Sequence, residues 1–176
     1  MKIRKKRLPI GVSDFKEIIT KNYYYFDKTK FIENILDDGS KVKLFTRPRR
    51  FGKTLNISML RYFFDVKNKE ENRKLFDGLN ISKSEYFEEQ GNYPVISISF
   101  RNYDEENWEN GFKTLKKEIK RLYNQFQFLR ENLNNIDSKD FDAICLKEDE
   151  AEWQEALLNL SKYLYEYYGK KVILLI

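Results

Sequence analysis

Residues 41–64 read KVKLFTRPRRFGKTLNISMLRYFF. An apolar run (Val42, Leu44, Phe45) leads into a tight basic turn, then Gly52-Lys53-Thr54, then a segment with helical spacing. The order expected is strand, phosphate loop, helix, the context in which a Gly-Lys-Thr triplet carries chemical meaning. A loop that opens a helix presents unpaired backbone N–H groups to an anion. Gly52 lets the backbone approach a phosphate with no side chain in the way. Lys53 is of the type that bridges β- and γ-phosphates, and Thr54 of the type that offers a hydroxyl to Mg²⁺. The common signature has a glycine five residues before Gly52, where this chain has Arg47, followed by Pro48, Arg49, Arg50 and Phe51. A second reading therefore stays open: a basic turn ahead of an amphipathic helix, with Thr54 near its start and the arginines solvated.

Composition narrows the chemistry. The chain has 176 residues, 41% hydrophobic and 16% aromatic, enough for a core and against disorder as the default. It has no histidine, which excludes a His-based metal site, a Ser-His-Asp triad and a Cys-His dyad. Its one cysteine, Cys145, rules out an intramolecular disulfide framework and fits a reducing, cytoplasmic setting. The net charge of +5 permits an anionic partner without demanding one. Residues 1–7, MKIRKKR, read as a basic arm and 8–176 as one domain. Pro9, Gly11 and Asp14 follow where a signal peptide needs apolar residues, so no targeting signal is expected. No run of about 18 apolar residues marks a membrane span.

Moving toward the N-terminus, residues 14–20 suggest a short helix and Tyr23–Phe26 a short aromatic strand. Asp27 is placed to cap a helix from Lys28 to about Asp37, with Phe31, Ile32, Ile35 and Leu36 inward, stopped by Gly39. Moving toward the C-terminus, Leu55, Met59, Leu60, Phe63 and Phe64 stripe a helix, and two short helical pieces follow within 69–90. Tyr93–Phe100 alternates as a second strand. Residues 105–133 read as one long helix with Lys113, Lys116, Lys117, Lys120 and Arg121 interleaved among apolar positions; 134–148 reads as loop-rich, with a short helix near Phe141. A helix over about 149–168 buries Trp153, Leu157, Leu160, Leu164 and Tyr167, Gly169 ends it, and Lys170–Ile176 is a third, continuously apolar strand. This β(α)β(α)β order argues for an α/β fold, a right-handed, mostly parallel sheet with helices on both faces. The basic arm and the lysine-rich stretch 113–121 are the candidate contacts for nucleic acid, although a lysine-rich helix face is ordinarily just solvated.

Thr46–Leu55 resembles the signature of the AAA-ATPase-like family of bacteria and archaea, in which Arg-Pro-Arg-Arg-Phe stands where other P-loop proteins carry a glycine-rich run. Leu8-Pro9-Ile10-Gly11 through Asp14-Phe15 resembles that family's opening motif, and Tyr25-Phe26-Asp27-Lys28-Thr29 with Phe31-Ile32 its next segment. The likeness is dense to Val66 and thin beyond Asn102. It implies an incomplete P-loop NTPase-type three-layer sandwich that binds ATP and Mg²⁺. The implied binding residues are Arg47, Pro48, Arg49, Arg50, Phe51, Gly52, Lys53 and Thr54, with Thr54 on the metal and Tyr25 and Asp27 near the adenine.

In the family an Asp-Glu pair follows the third strand and many members carry a nuclease-like domain beyond it, whereas these residues stop at Ile176. The resemblance thus implies a domain truncated before the acid that holds Mg²⁺, one that binds nucleotide but does not hydrolyse it alone. Asp104, Glu105 and Glu106, after the second strand, are the nearest acids in sequence. The alternative is a non-catalytic interaction protein derived from such an ATPase, for example a phage or mobile-element inhibitor of a prokaryotic defence system. ATPases of this type commonly order their strands 5-1-4-3-2, which leaves an edge between strands 1 and 3. Direct pairing of the two, or a strand from a protein partner, would cover it.

Overall fold

The computed structural model describes residues 6–46, 48, 51–100, 107–146 and 151–176. They form two compact units, one ending at Tyr93 and the other spanning Pro94–Ile176.

The first unit is helical. Helix α1 (Phe15–Thr20) starts where the Asp14 side chain accepts a hydrogen bond from the Glu17 N–H. Helix α2 is Lys30–Asp37 and α3 is Lys53–Phe64. Helix α4 (Lys69–Arg73) leads into 3₁₀ turns at Lys74–Phe76, Asn80–Lys83 and Glu85–Glu89. Met59, Leu60, Phe63 and Phe64 recur at helical spacing and are all buried. Phe15 and Ile18 of α1, Ile32 of α2, and Phe76 and Ile81 of the turns are buried in the same unit. Phe76 links the layers: it stacks on Phe15 at 5.0 Å and meets Phe63 edge-on at 5.3 Å. Each such ring removed from water stabilises the unit by roughly 1.5–3 kcal/mol. After α3 the backbone pairs at Asp65 with Tyr93 in a parallel bridge, with Val66 N–H donating to the Tyr93 carbonyl.

The second unit carries the sheet. Strand β1 (Val95–Ser97) and strand β2 (Ile173–Leu175) run parallel, with Ile96 opposite Leu174. Helices α5 (Trp108–Gln125), α6 (Asn135–Leu146) and α7 (Ala156–Tyr168) supply the rest. Ile96, Ile98, Ile119, Leu122, Phe141, Ile144, Leu160 and Leu164 share one buried cluster. Polar ties also join the helices around it. The Tyr123 hydroxyl donates to the Ala156 carbonyl at 2.7 Å, and Lys162 Nζ lies 3.0 Å from Asp137 Oδ2.

The fold is therefore mixed, helix-rich and parallel in its short sheet. Several expectations need correction. Residues 41–46, expected as the first strand, are irregular, with Val42 and Leu44 each 86% exposed. Alternation only makes a strand where a neighbour completes the ladder, and Phe45 instead turns edge-on to Phe31 of α2 at 4.7 Å. Residues 23–26 form no strand either. Asp27 does not cap α2 directly: it accepts from the Thr29 N–H, and Thr29 occupies the cap position. The long helix expected over 105–133 breaks at Phe126 into a 3₁₀ turn, Gln127–Asn132. The loop expected over 134–148 is mostly α6, capped by Asn134, whose side-chain oxygen accepts from the Ile136 and Asp137 N–H groups.

Candidate functional site

The start of α3 is a helix terminus with no side-chain cap. Gly52 precedes it with φ 75° and ψ 24°, a left-handed conformation that is strained for residues with a Cβ. Its carbonyl accepts from the Asn56 N–H at 2.9 Å, the first bond of the helix. The N–H groups of Lys53, Thr54 and Leu55 thus lack helical acceptors, and no side chain caps them. A helix terminus of this kind carries about half a positive charge. Lys53 and Thr54 are exposed at its first turn, free to turn toward a ligand.

Beside this terminus comes the segment Tyr25–Thr29. A Cβ placed on Gly52 would lie 3.6 Å from Lys28 Nζ, ordinary van der Waals contact, so that ammonium lies directly against the glycine. The position of Lys28 is held by its neighbours. Its N–H donates to the Tyr25 hydroxyl at 3.4 Å, and that hydroxyl also contacts Met59 Sδ of α3 at 3.4 Å. The Tyr25 ring meets Phe15 edge-on at 5.5 Å, and burial pushes its phenol up to about 12. Asp27 fixes the other side. One carboxylate oxygen accepts from the Thr29 N–H at 2.9 Å and the Thr29 hydroxyl at 2.7 Å; the other accepts from the Asn80 N–H at 2.7 Å. Thr29 is fully buried, and its hydroxyl oxygen accepts in turn from the Ile81 N–H. Burial works against the Asp27 charge, but the bonds from Thr29 and Asn80 outweigh it and hold the carboxyl below its ordinary value.

Helix α3 itself is tied to α1. Asp14 Oδ2 receives the Ser58 hydroxyl at 3.2 Å, Arg61 Nη2 at 3.4 Å and the Tyr62 hydroxyl at 3.1 Å, while the Phe15 N–H donates to Ser58 Oγ at 2.9 Å. The opening motif around Asp14 and the Tyr25–Thr29 segment thus converge on the helix that carries Lys53. Among the sequence-expected site residues, the structure brings Tyr25, Gly52, Lys53 and Thr54 onto or against α3. Pro48 and Phe51 are exposed, and Arg47, Arg49 and Arg50 lie outside the described residues. So do Asp104, Glu105 and Glu106. Sequence reasoning did not single out Lys28 as a site residue. Its only signal was membership of the same short segment as Tyr25 and Asp27.

Elsewhere, Lys113 and Lys117 on α5 are exposed, and Lys116 Nζ lies 4.8 Å from the Phe112 ring centroid and 5.3 Å from that of Trp153. No described helix is long and apolar enough to cross a membrane. Among the described residues no group of three or more histidines, cysteines, aspartates or glutamates is arranged to hold a metal ion.

Two comparisons place the chain among known proteins. The uncharacterized protein in the vnfD 5' region of Azotobacter chroococcum mcd 1 is 37% identical over 97 residues, a match that covers 54% of this chain and 17% of that protein. The chain therefore spans less than a fifth of this relative. No solved structure matches. The family model described as "Predicted AAA-ATPase" matches residues 9–176, nearly the whole sequence, and includes the opening motif from Pro9 onward, the Tyr25–Thr29 segment and the Gly52–Thr54 turn. The chain belongs to this AAA-ATPase-like family.

Proposed function

We propose that the Arg47–Thr54 loop and the first turn of α3 bind the phosphates of a nucleoside triphosphate, ATP on the family resemblance, within a P-loop NTPase-type domain covering residues 8–176. The observation that carries this reading is the left-handed Gly52 opening a 12-residue helix whose first two residues, Lys53 and Thr54, are both exposed. The residues fit the ligand: an uncapped helix terminus supplies N–H donors, and Lys53 supplies a cation. Thr54 is the residue to hold Mg²⁺, which would neutralise phosphate charge when bound. Arg47, Arg49 and Arg50 are proposed to add guanidinium contacts, bidentate by nature to phosphate oxygens. Pro48 and Phe51 shape the loop between them. Tyr25 and Asp27 serve by holding their segment against α3, next to the bound nucleotide.

The test is calorimetric titration of Mg-ATP into the wild-type chain and Lys53→Ala. Millimolar or tighter binding that Lys53→Ala weakens at least tenfold supports the reading. Absence of binding to the wild type at millimolar nucleotide refutes it.

A further inference from the structure

We propose that Lys28 is a second phosphate-binding lysine, an inference that rests on reading Gly52–Thr54 as the phosphate site. Two observations converge. The Lys28 ammonium lies 3.6 Å from the position a Gly52 Cβ would take, at the end of α3 where backbone donors lack acceptors. It sits there without a carboxylate partner among the described residues. A cation at the positive end of a helix is repelled by it, and a lysine stem is flexible enough to swing away into water. An anion between the two turns that repulsion into attraction on both sides.

The placement is also imposed by the backbone. The Lys28 N–H is bound to Tyr25, whose hydroxyl reaches α3, and the following residue, Thr29, is fully buried and held by Asp27. Only the outer part of the side chain is free to choose.

The loop chemistry gives the lysine a task. A glycine-rich phosphate loop surrounds its ligand with backbone N–H groups. Here Pro48 has no N–H to give, and large side chains flank it. A side-chain ammonium arriving from Tyr25–Thr29 supplies positive charge that a glycine-rich run would supply as amides. The ligand class is a polyphosphate, with inorganic pyrophosphate as its smallest representative. The Y-F-D-K-T segment is then a device for presenting Lys28, with Tyr25 and Asp27 as positioning residues.

The experiment compares the wild-type chain with Lys28→Gln, Lys28→Arg and Lys53→Ala, titrated with Mg-ATP, Mg-ADP, AMP and pyrophosphate. Far-UV circular dichroism checks that each variant is folded. Lys28→Gln is expected to weaken ATP and pyrophosphate at least tenfold, ADP less, and AMP least, with Lys28→Arg restoring most of the loss. A merely structural role would move all ligands equally and would not distinguish them by phosphate number. In the wild type, pyrophosphate is expected to protect Lys28 from acetylation by an N-hydroxysuccinimide ester, read by peptide mass spectrometry, which needs no variant. If the wild type binds none of these ligands, the phosphate-site reading and the Lys28 proposal fall together. If the wild type binds, Lys53→Ala loses binding, and Lys28→Gln binds like wild type with Lys28 unprotected, the Lys28 proposal alone is refuted.

Discussion

Replacing Asp27 with alanine removes one carboxylate that accepts three hydrogen bonds, two from Thr29 and one from Asn80. Hydrogen bonds to a charged acceptor contribute about 1.5–3 kcal/mol each. The three do not add in full: the Asn80 N–H is exposed and rehydrates, and the two Thr29 donors share one oxygen. The Thr29 donors matter most, because Thr29 is fully buried and is left with unmet polar groups. We expect a loss of about 2–3 kcal/mol, a drop in Tm of about 4–12 °C for a chain of this size. The pH dependence has a definite sign. The Asp27 carboxyl is held below its ordinary value in the fold, so its contribution is complete above the unfolded value of about 3.9 and is lost as pH falls through the lower folded value. Both tryptophans, Trp108 and Trp153, belong to the second unit, so the assay is urea unfolding followed by far-UV circular dichroism at pH 7 and at pH 3 and below. The gap between wild type and Asp27→Ala should be wide at pH 7 and narrow progressively in acid. A gap under about 0.5 kcal/mol at pH 7, or one unchanged down to the lowest pH at which both fold, refutes the assigned role of these bonds.

Four further outcomes are expected. Phe63→Ala, at a position with no exposure and rings on several sides, should cost about 3–5 kcal/mol by chemical denaturation. Gly52→Ala should lower stability by about 1–2 kcal/mol through left-handed strain, and relief of that strain should shift the turn ahead of Lys53 and weaken Mg-ATP binding in calorimetry. Tyr123→Phe, which removes the hydroxyl's bond to the Ala156 carbonyl inside the core, should cost about 0.5–1.5 kcal/mol. Burial raises the phenols of Tyr25, Tyr93, Tyr123 and Tyr163, so absorbance titration at alkaline pH should show a fraction of the 12 tyrosines ionising only on unfolding; the stability they confer is complete below the unfolded value of about 10 and falls above it.

What was legible in the sequence was whatever a single stretch decides alone. Met59, Leu60, Phe63 and Phe64 announce α3 by spacing, and Leu160 and Leu164 do the same for α7, because helical hydrogen bonds are internal to the segment. Strands are not. The apolar run of Val42, Leu44 and Phe45 reads as a strand, yet a strand is made by its neighbours, and these residues stay exposed and irregular. Helix α6 was hidden for the opposite reason. Its asparagines and aspartates disfavour helix by local propensity, but Asn134 caps it and Asp137 is engaged by Lys162 of α7. At the candidate site, the Gly52-Lys53-Thr54 turn was visible as a motif. The placing of Lys28 beside Gly52 was not, because it depends on a tyrosine hydroxyl reaching a methionine on another helix.

Asp14 bears on motion as well as on stability. Its carboxylate is engaged by Ser58, Arg61 and Tyr62, which share one face of α3 at neighbouring turns. Contacts from one fixed group to three points on a cylinder block rotation about its axis. They also resist sliding, since Ser58 is tied separately to the Phe15 backbone. Helix α3 and the start of α1 therefore move as one piece, and a change of loop shape cannot be absorbed by screwing the helix round. It falls on the junction at Gly52, where a left-handed glycine tolerates new backbone angles at little cost. Gly52 thus marks the boundary between the loop and the part of α3 that Asp14 holds, and Lys53 sits on the held side of it.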